Sequence, residues 1–111
     1  RKGGLNGHEF ESAIVSEIYK QAKNNQIQCN FSFLKTHDGR EVDLLLEFPE
    51  YYYAFEIKLA DKVSKTDARH LVNLEVLLDK PVKKSFILSN DPTTKQFDEN
   101  VTAIHAAMFL G

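Results

Sequence analysis

The chain has little cysteine, no tryptophan and no long apolar run. Its single cysteine, Cys29, excludes an internal disulfide and suits a reducing cytoplasm. No apolar stretch approaches the roughly 18 residues of a membrane span, and no signal peptide is recognisable. The sequence also has no phosphate-binding glycine loop, no Gly-rich dinucleotide fingerprint and no Cys/His zinc spacing. These absences favour a cytoplasmic protein. They also exclude the nucleotide-binding and zinc-binding sites that these sequence motifs form.

Neither sign of charge dominates the sequence. Fourteen basic and 16 acidic residues give a formal net charge of −2, which is not the basic footprint of a free-standing DNA-binding domain. A local basic patch stays possible. The length of 111 residues predicts one domain, whose eight Phe and four Tyr can fill a modest core. We expect residues 1–6 to be a linker and residues 7–111 the domain, and the start at Arg1 without a methionine suggests a fragment of a longer protein.

Two strands joined by a short turn are predicted between residues 39 and 58. Their alternating apolar residues, at the strand period of two, are Val42, Leu44, Leu46 and Phe48 in the first strand and Tyr53, Phe55, Ile57 and Leu59 in the second. Symmetric pairing about the Pro49-Glu50 turn puts Asp43 opposite Glu56, with Cβ atoms about 4.5–5.5 Å apart. Lys58 then lies on the same face. A slip of one residue would separate these side chains, so the register is a hypothesis.

Paired carboxylates on one strand face predict a cation site. They repel each other unless a proton or a cation lies between them. Mg²⁺ is typically held by one or two carboxylates together with water and substrate phosphate. The alternative for Asp43, Glu56 and Lys58 is a cross-strand salt bridge on a solvated face. A third carboxylate, Glu11, falls in the middle of the apolar face of the first helix, where it must be paired, protonated or metal-bound, unless it reaches water or a lysine at a groove edge.

The order of elements indicates an α/β domain. The predicted elements begin with a helix over residues 8–23 and a strand over 26–35, which has Ile27, Cys29, Phe31 and Phe33 on one face. A turn at Asp38-Gly39 leads into the two strands described above, and a helix then runs from the Ser64–Asp67 capping box to about Asp79. The last elements are a buried strand over 86–88, a further strand over 101–104, and an apolar turn or helix over 106–110. This α-β-β-β-α-β order favours a mixed central sheet of about four strands flanked by helices.

Asp43, followed by Glu56-Ile57-Lys58 on the next strand, resembles the PD-(D/E)xK nuclease superfamily, although Val42 stands where that name has proline. Further matching stretches are Gly7-His8-Glu9-Phe10-Glu11, His37-Asp38-Gly39-Arg40-Glu41-Val42-Asp43 and Phe86-Ile87-Leu88-Ser89. With these, nearly the whole chain resembles the nuclease-like domain of unknown function at the C-terminus of many prokaryotic AAA-type ATPases. The resemblance implies a restriction-endonuclease-like three-layer fold.

The resemblance also implies an activity and a division of roles. It implies hydrolysis of DNA phosphodiester bonds with Mg²⁺ or Mn²⁺, which Asp43, Glu56 and the Ile57 carbonyl would bind. Lys58 would hold the attacking hydroxide and offset charge on phosphorus, and Glu11 would add an acidic group to the metal site. The implied partners are DNA and an N-terminal ATPase portion of the same chain. The alternative is a catalytically silent nuclease-fold module that docks DNA or a protein and regulates the ATPase.

Two other groups have open interpretations. Tyr51-Tyr52-Tyr53 could stack on bases, but an aromatic cluster packed on the sheet is favoured. Arg69 and His70 could border a substrate groove, but a solvated helix face is favoured for them.

Overall fold

A mixed sheet of six strands forms the centre of the protein in the computed structural model, which describes residues 4–111. The strands are β1 (Asn30–Lys35), β2 (Glu41–Glu47), β3 (Tyr52–Ile57), β4 (Val82–Ser89), β5 (Lys95–Gln96) and β6 (Val101–His105). Their order across the sheet is β1-β2-β3-β4-β6-β5. β1 to β3 are antiparallel neighbours, β4 and β6 continue the sheet in parallel with β3, and β5 runs antiparallel to β6. The mixed α/β class is therefore confirmed, with more strands than the four expected.

The first helix, α1 (Gly7–Asn24), begins at a capping box. The Asn6 side chain accepts from the Glu9 N–H at 2.8 Å, and the Glu9 carboxylate accepts from the Asn6 N–H at 2.9 Å, so two otherwise unpaired donors are satisfied. The buried residues recur every fourth position, as on one face of a helix: Phe10, Ile14, Ile18 and Ala22. The predicted helix is confirmed. Residues 1–3 of the predicted linker lie outside the described residues.

The sheet buries a hydrophobic cluster on each face. On one face, α1 and the short helix α2 (Ala106–Leu110) pack over the sheet, with Phe86 and Phe109 rings 5.0 Å apart and the Gln21 amide donating to the Leu110 carbonyl at 2.7 Å. The other face is covered by the connecting segment, residues 58–81 between β3 and β4, through Val63, Ala68, Leu71 and Leu74. The expected terminal helix over 106–110 is confirmed.

The register of the β2–β3 hairpin agrees with the sequence prediction. Leu44 pairs with Phe55 and Leu46 pairs with Tyr53, which is the symmetric register about Pro49-Glu50. The turn closes where the Phe48 N–H donates to the Tyr51 carbonyl at 2.9 Å. The same register, continued towards the start of β2, places Asp43 opposite Glu56.

The predicted alternation along β2 is wrong at its first apolar residue, Val42. Val42 was expected to share a face with Leu44 and Leu46, but it packs in the opposite cluster together with Leu45. The cause is a shift in the β1–β2 register: Ser32 pairs with Leu45, and Leu34 pairs with Val42, so β2 contains one extra residue. Such a bulge interrupts the period of two and redirects the side chains on either side of it.

The helix predicted from Ser64 to Asp79 does not form. The Ser64–Asp67 capping box is present, but it begins a single 3-10 turn, Lys65–Ala68, and a second turn follows at Leu74–Leu77. Asn73 between them has a left-handed backbone (φ 53°). The Arg40 side chain donates to the carbonyls of His70, at 3.0 Å, and Val72. These carbonyls are therefore bound from outside the segment rather than by helical N–H groups.

The strands differ from the prediction in four further respects. β1 begins at Asn30 rather than residue 26, after Gln26 adopts a left-handed backbone (φ 56°). Phe33 was expected to share a buried face with Phe31 but is 71% exposed, opposite the register shift. The strand predicted over 86–88 is longer, since β4 spans Val82–Ser89, and it pairs in parallel with β3. The strand over 101–104 is confirmed, whereas the two-residue β5 was not predicted because it is too short to show a period.

Candidate functional site

Asp43 and Glu56 meet where β2 begins and β3 ends; we call them the carboxylate pair. The Ile57 N–H donates to Asp43 Oδ2 at 2.8 Å, and the Asp43 N–H donates to Glu56 Oε1 at 3.1 Å. Each carboxylate thus accepts a backbone hydrogen bond from the opposite strand. These two reciprocal bonds fix both side chains at the same spot, as the hairpin register requires.

The carboxylate pair is held with both pKa values above their usual range. Burial raises the pKa of Asp43, and the Ile57 N–H acts against this effect. Burial and then the negative charge of Asp43 raise the pKa of Glu56 to about 8. Two partly buried carboxylates side by side cannot both be charged at low cost. At neutral pH the pair therefore holds a proton unless a cation takes its place.

Glu11 adds a third carboxylate from α1. Burial raises the pKa of Glu11, and the charge of Asp43 raises it further, which places the two groups within electrostatic reach. Its half-buried position agrees with the anomaly seen in the helix pattern. Across residues 4–111, no three His, Cys, Asp or Glu side chains are gathered closely enough to hold a metal ion together. The site is therefore a pair of carboxylates with Glu11 as an outer acidic group.

Lys58 follows β3 and is ion-paired with Asp67 rather than with the carboxylate pair. Its backbone N–H continues the sheet by donating to the Leu88 carbonyl at 2.9 Å. Its ammonium binds Asp67 Oδ1, and the ion pairs of residues 4–111 include none from Lys58 to Asp43 or Glu56. Burial raises the pKa of Asp67, but Lys58 and the Ser64 N–H outweigh this and hold the pKa below its usual value. From the sequence, Asp67 was expected only as part of the capping box.

Arg69 and His70 border the carboxylate pair. The positive charge of Arg69 lowers the pKa of Glu56, and the nearby His70 ring acts in the same direction on the pKa of Asp43, although burial dominates in both cases. The Arg69 guanidinium donates to the Thr66 carbonyl at 3.0 Å, and His70 Nδ1 lies 3.0 Å from the Glu41 carbonyl oxygen. The helix expected here is absent, because the segment forms only 3-10 turns, whereas the expected solvent exposure is confirmed for Arg69, with His70 half-buried.

A buried aspartate, which sequence reasoning missed, anchors the connecting segment. Asp91 Oδ2 accepts from the Val63 N–H and from the Lys95 ammonium, each at 2.8 Å. Lys95 also donates to the Val63 carbonyl at 2.6 Å. These bonds hold the pKa of Asp91 well below its usual range, and the bond from Lys95 has the largest effect. Lys95 at the fourth position after Asp91 was the available sequence signal. The anchor sets where the residues after Lys58 lie.

The aromatic run at the start of β3 packs on itself. The Phe48 and Tyr51 rings stack at 5.0 Å, Tyr51 and Tyr53 lie 5.5 Å apart, and the Lys83 ammonium lies 4.7 Å from the Tyr51 ring centre. The favoured interpretation, an aromatic cluster packed on the sheet, is confirmed.

A groove of about 730 Å³ lies away from the candidate residues. It is lined by the end of α1, the start of β1 and the β2–β3 turn, including Tyr19, Phe31 and Phe48. Charged groups at its wall are already engaged: Lys80 is ion-paired with Glu47, and Lys23 lies over the Tyr19 ring. The chemistry of the carboxylate pair, rather than groove size, therefore defines the candidate site.

The comparison with known proteins identifies a family but no characterised relative. No curated protein matches the chain. Within residues 4–111, no helix is both long enough and apolar enough to span a membrane. The model of the domain of unknown function DUF4143 matches residues 6–109, nearly the full length, and the chain therefore belongs to that family.

Proposed function

We propose that this protein is a metal-dependent nuclease domain of the PD-(D/E)xK type, with a restriction-endonuclease-like fold, that hydrolyses DNA phosphodiester bonds. The supporting observation is the carboxylate pair, in which Asp43 and Glu56 exchange backbone hydrogen bonds across two strands. The pKa of Glu56 is raised to about 8 by burial and by Asp43. A divalent cation with a preference for oxygen ligands would relieve this repulsion by balancing both charges.

The donor chemistry fits Mg²⁺ or Mn²⁺. Asp43 and Glu56 would hold the ion, with the Ile57 carbonyl as a further oxygen ligand. Mg²⁺ sites commonly have one or two carboxylates and complete their coordination with water and substrate phosphate, so a third acidic ligand is not required. Such an ion polarises a phosphate oxygen and lowers the pKa of a bound water.

The remaining groups would serve the substrate and the water. Lys58, two residues beyond Glu56 and directly after β3, would offset the charge that develops on phosphorus. Glu11 would orient a water or take part in a second cation site, since it lies within electrostatic reach of Asp43. Arg69, whose charge acts on Glu56, would attract the phosphate backbone at the edge of the site. The partner we propose is an ATPase portion on the N-terminal side of the same protein.

A cleavage assay on single-stranded, duplex and branched DNA tests this function. We expect cleavage with Mg²⁺ or Mn²⁺ and none with EDTA. Lys58→Ala should keep metal binding and lose activity by about 100-fold or more, because charge in the transition state is then uncompensated. Glu56→Gln should lose both metal binding and cleavage. Glu50→Gln, an exposed turn residue, is the matched control and should behave as wild type.

The ion pair between Lys58 and Asp67 favours a second function. The Lys58 ammonium is ion-paired with Asp67 and not directed at the carboxylate pair. A catalytically silent nuclease-fold module, which docks DNA or a protein and regulates the ATPase, would keep this arrangement permanently. Mn²⁺ binding without cleavage of any of these substrates would support that function, whereas activity that persists in Glu56→Gln would indicate a contaminating nuclease.

A further inference from the structure

Asp67 uses its two carboxylate oxygens for two separate tasks. Oδ2 accepts from the Ser64 N–H at 2.8 Å and so closes the capping box. Oδ1 accepts from the Lys58 ammonium. The Asp67 side chain is only 11% exposed, whereas that of Lys58 is 51% exposed. The carboxylate is therefore the fixed member of this ion pair, and the lysine is the member that can move.

The turn that carries Asp67 is anchored to the core on both sides. Before it, the Val63 N–H donates to the buried Asp91 carboxylate at 2.8 Å. After it, Ala68 is 2% exposed and packs in the cluster beneath the connecting segment. The position of the Asp67 carboxylate is thus determined by the fold and not by Lys58.

Lys58 has an alternative partner within reach. Lys58 directly follows β3, and its N–H continues the ladder to β4 by donating to the Leu88 carbonyl at 2.9 Å. In such an extended backbone, residues two apart lie on one face about 6.6–6.8 Å apart, a distance that a lysine side chain can span to reach Glu56. The carboxylate pair is partly buried and carries excess negative charge, so it attracts any free ammonium nearby. A lysine bound there would occupy the oxygens that a metal ion needs.

We propose that Asp67 is a positioning residue that holds the Lys58 ammonium beside the carboxylate pair but off its oxygens, which leaves Asp43 and Glu56 open to a divalent cation. This inference rests on the proposed function, because it requires the pair to bind that cation. It adds a role for Asp67 that the motif itself does not contain: without this carboxylate, the lysine becomes an internal competitor of the metal.

Calorimetric titration with Mn²⁺ tests the inference on four proteins besides the wild type: Asp67→Asn, Lys58→Met, the double variant, and Asp98→Asn. Asp67→Asn keeps an oxygen that can accept from the Ser64 N–H but loses the charge. Asp98 is the matched control, because it also caps a turn, accepting from the Asn100 and Val101 N–H groups, away from the carboxylate pair. Urea unfolding shows that each variant is folded before it is titrated.

We expect Asp67→Asn to weaken Mn²⁺ affinity about fivefold. The freed Lys58 ammonium then competes with Mn²⁺ for the carboxylate pair, and its binding there is worth about one exposed ion pair. Lys58→Met in the Asp67→Asn background should restore the affinity to within about twofold of Lys58→Met alone. A purely structural role of Asp67 would not be rescued in this way. In EDTA, reductive methylation should modify Lys58 at a different rate in Asp67→Asn than in Asp98→Asn.

The failures of the two proposals can be told apart. Equal Mn²⁺ affinity of wild type and Asp67→Asn, or a double variant as weak as Asp67→Asn, overturns the role of Asp67 and leaves the nuclease proposal intact. A wild-type protein that binds no Mn²⁺ overturns both. Weakened affinity with rescue supports the inference even where no DNA is cleaved.

Discussion

Glu56 is surrounded by groups that disfavour its charge. Burial and the neighbouring Asp43 raise its pKa from 4.5 to about 8, and the charge of Arg69 offsets only part of this effect. A carboxyl with a raised pKa keeps its proton in the folded protein at a pH where the unfolded chain has released it. The ionisation of this residue therefore links the stability of the domain to pH.

We predict that the free energy of unfolding falls as the pH rises from about 4.5 to about 8, the range between the ordinary and the raised pKa of Glu56. Below this range both states hold the proton and the contribution of Glu56 is fully present; above it the contribution is lost. One proton gives a slope of at most about 1.4 kcal/mol per pH unit. Urea unfolding at several pH values, in EDTA, measures this slope.

Glu56→Gln removes the titrating group and should flatten the pH dependence, so that the variant gains stability relative to wild type towards pH 8. Glu50→Gln removes an exposed carboxyl in the β2–β3 turn and should leave the slope unchanged. An unaltered slope in Glu56→Gln would contradict the proposed coupling between Asp43 and Glu56.

The connecting segment shows what an element-scale pattern can and cannot reveal. Its apolar residues recur at helical spacing, and its capping box is real, yet only 3-10 turns form. The deciding contacts come from Arg40, which binds the carbonyls of His70, 30 residues later, and of Val72, 32 residues later. No local pattern contains that information. The result places Asp67, Arg69 and His70 beside the carboxylate pair, where a regular helix was expected to present a solvated face.

The backbone at Asn73 provides a direct test of this segment. Asn73 has a left-handed conformation, which asparagine and glycine tolerate and alanine does not. Asn73→Ala should therefore destabilise the protein by about 1 kcal/mol, and Asn73→Gly should be neutral or slightly stabilising. Equilibrium urea unfolding distinguishes these values, with Glu75→Ala in the following turn as the control. If the segment were a helix, Asn73→Ala would instead raise both stability and far-UV helical signal.

At the scale of the whole molecule, the predictable features are those set by local chemistry. The two-residue turn after Phe48 fixed the register of β2 and β3, and that register brought Asp43 to Glu56. Features that depend on a distant partner were not predictable. The bulge needs the pairing of β2 with β1, and the Lys58–Asp67 ion pair needs the path of the connecting segment across the sheet. The meeting of Asp43 with Glu56 was thus predictable, whereas the surroundings of the two carboxylates were not.

The fold as a whole should respond to metal through this site. In the folded chain the hairpin brings Asp43 and Glu56 together, whereas the unfolded chain holds them apart, so a cation that binds the pair stabilises the native state. By mass action, Mn²⁺ at 100 times its Kd adds about 2.7 kcal/mol to the free energy of unfolding. Asp43→Asn should lose this increment, while without metal it should be as stable as wild type or more so, because one repelling charge is gone.

Asp61→Asn, an exposed position, is the control and should keep the full increment. Thermal unfolding with Mn²⁺ and with EDTA measures both effects. A large loss of stability in metal-free Asp43→Asn with an undiminished Mn²⁺ increment would show that Asp43 serves the hairpin through its bond to Ile57 and not a metal site.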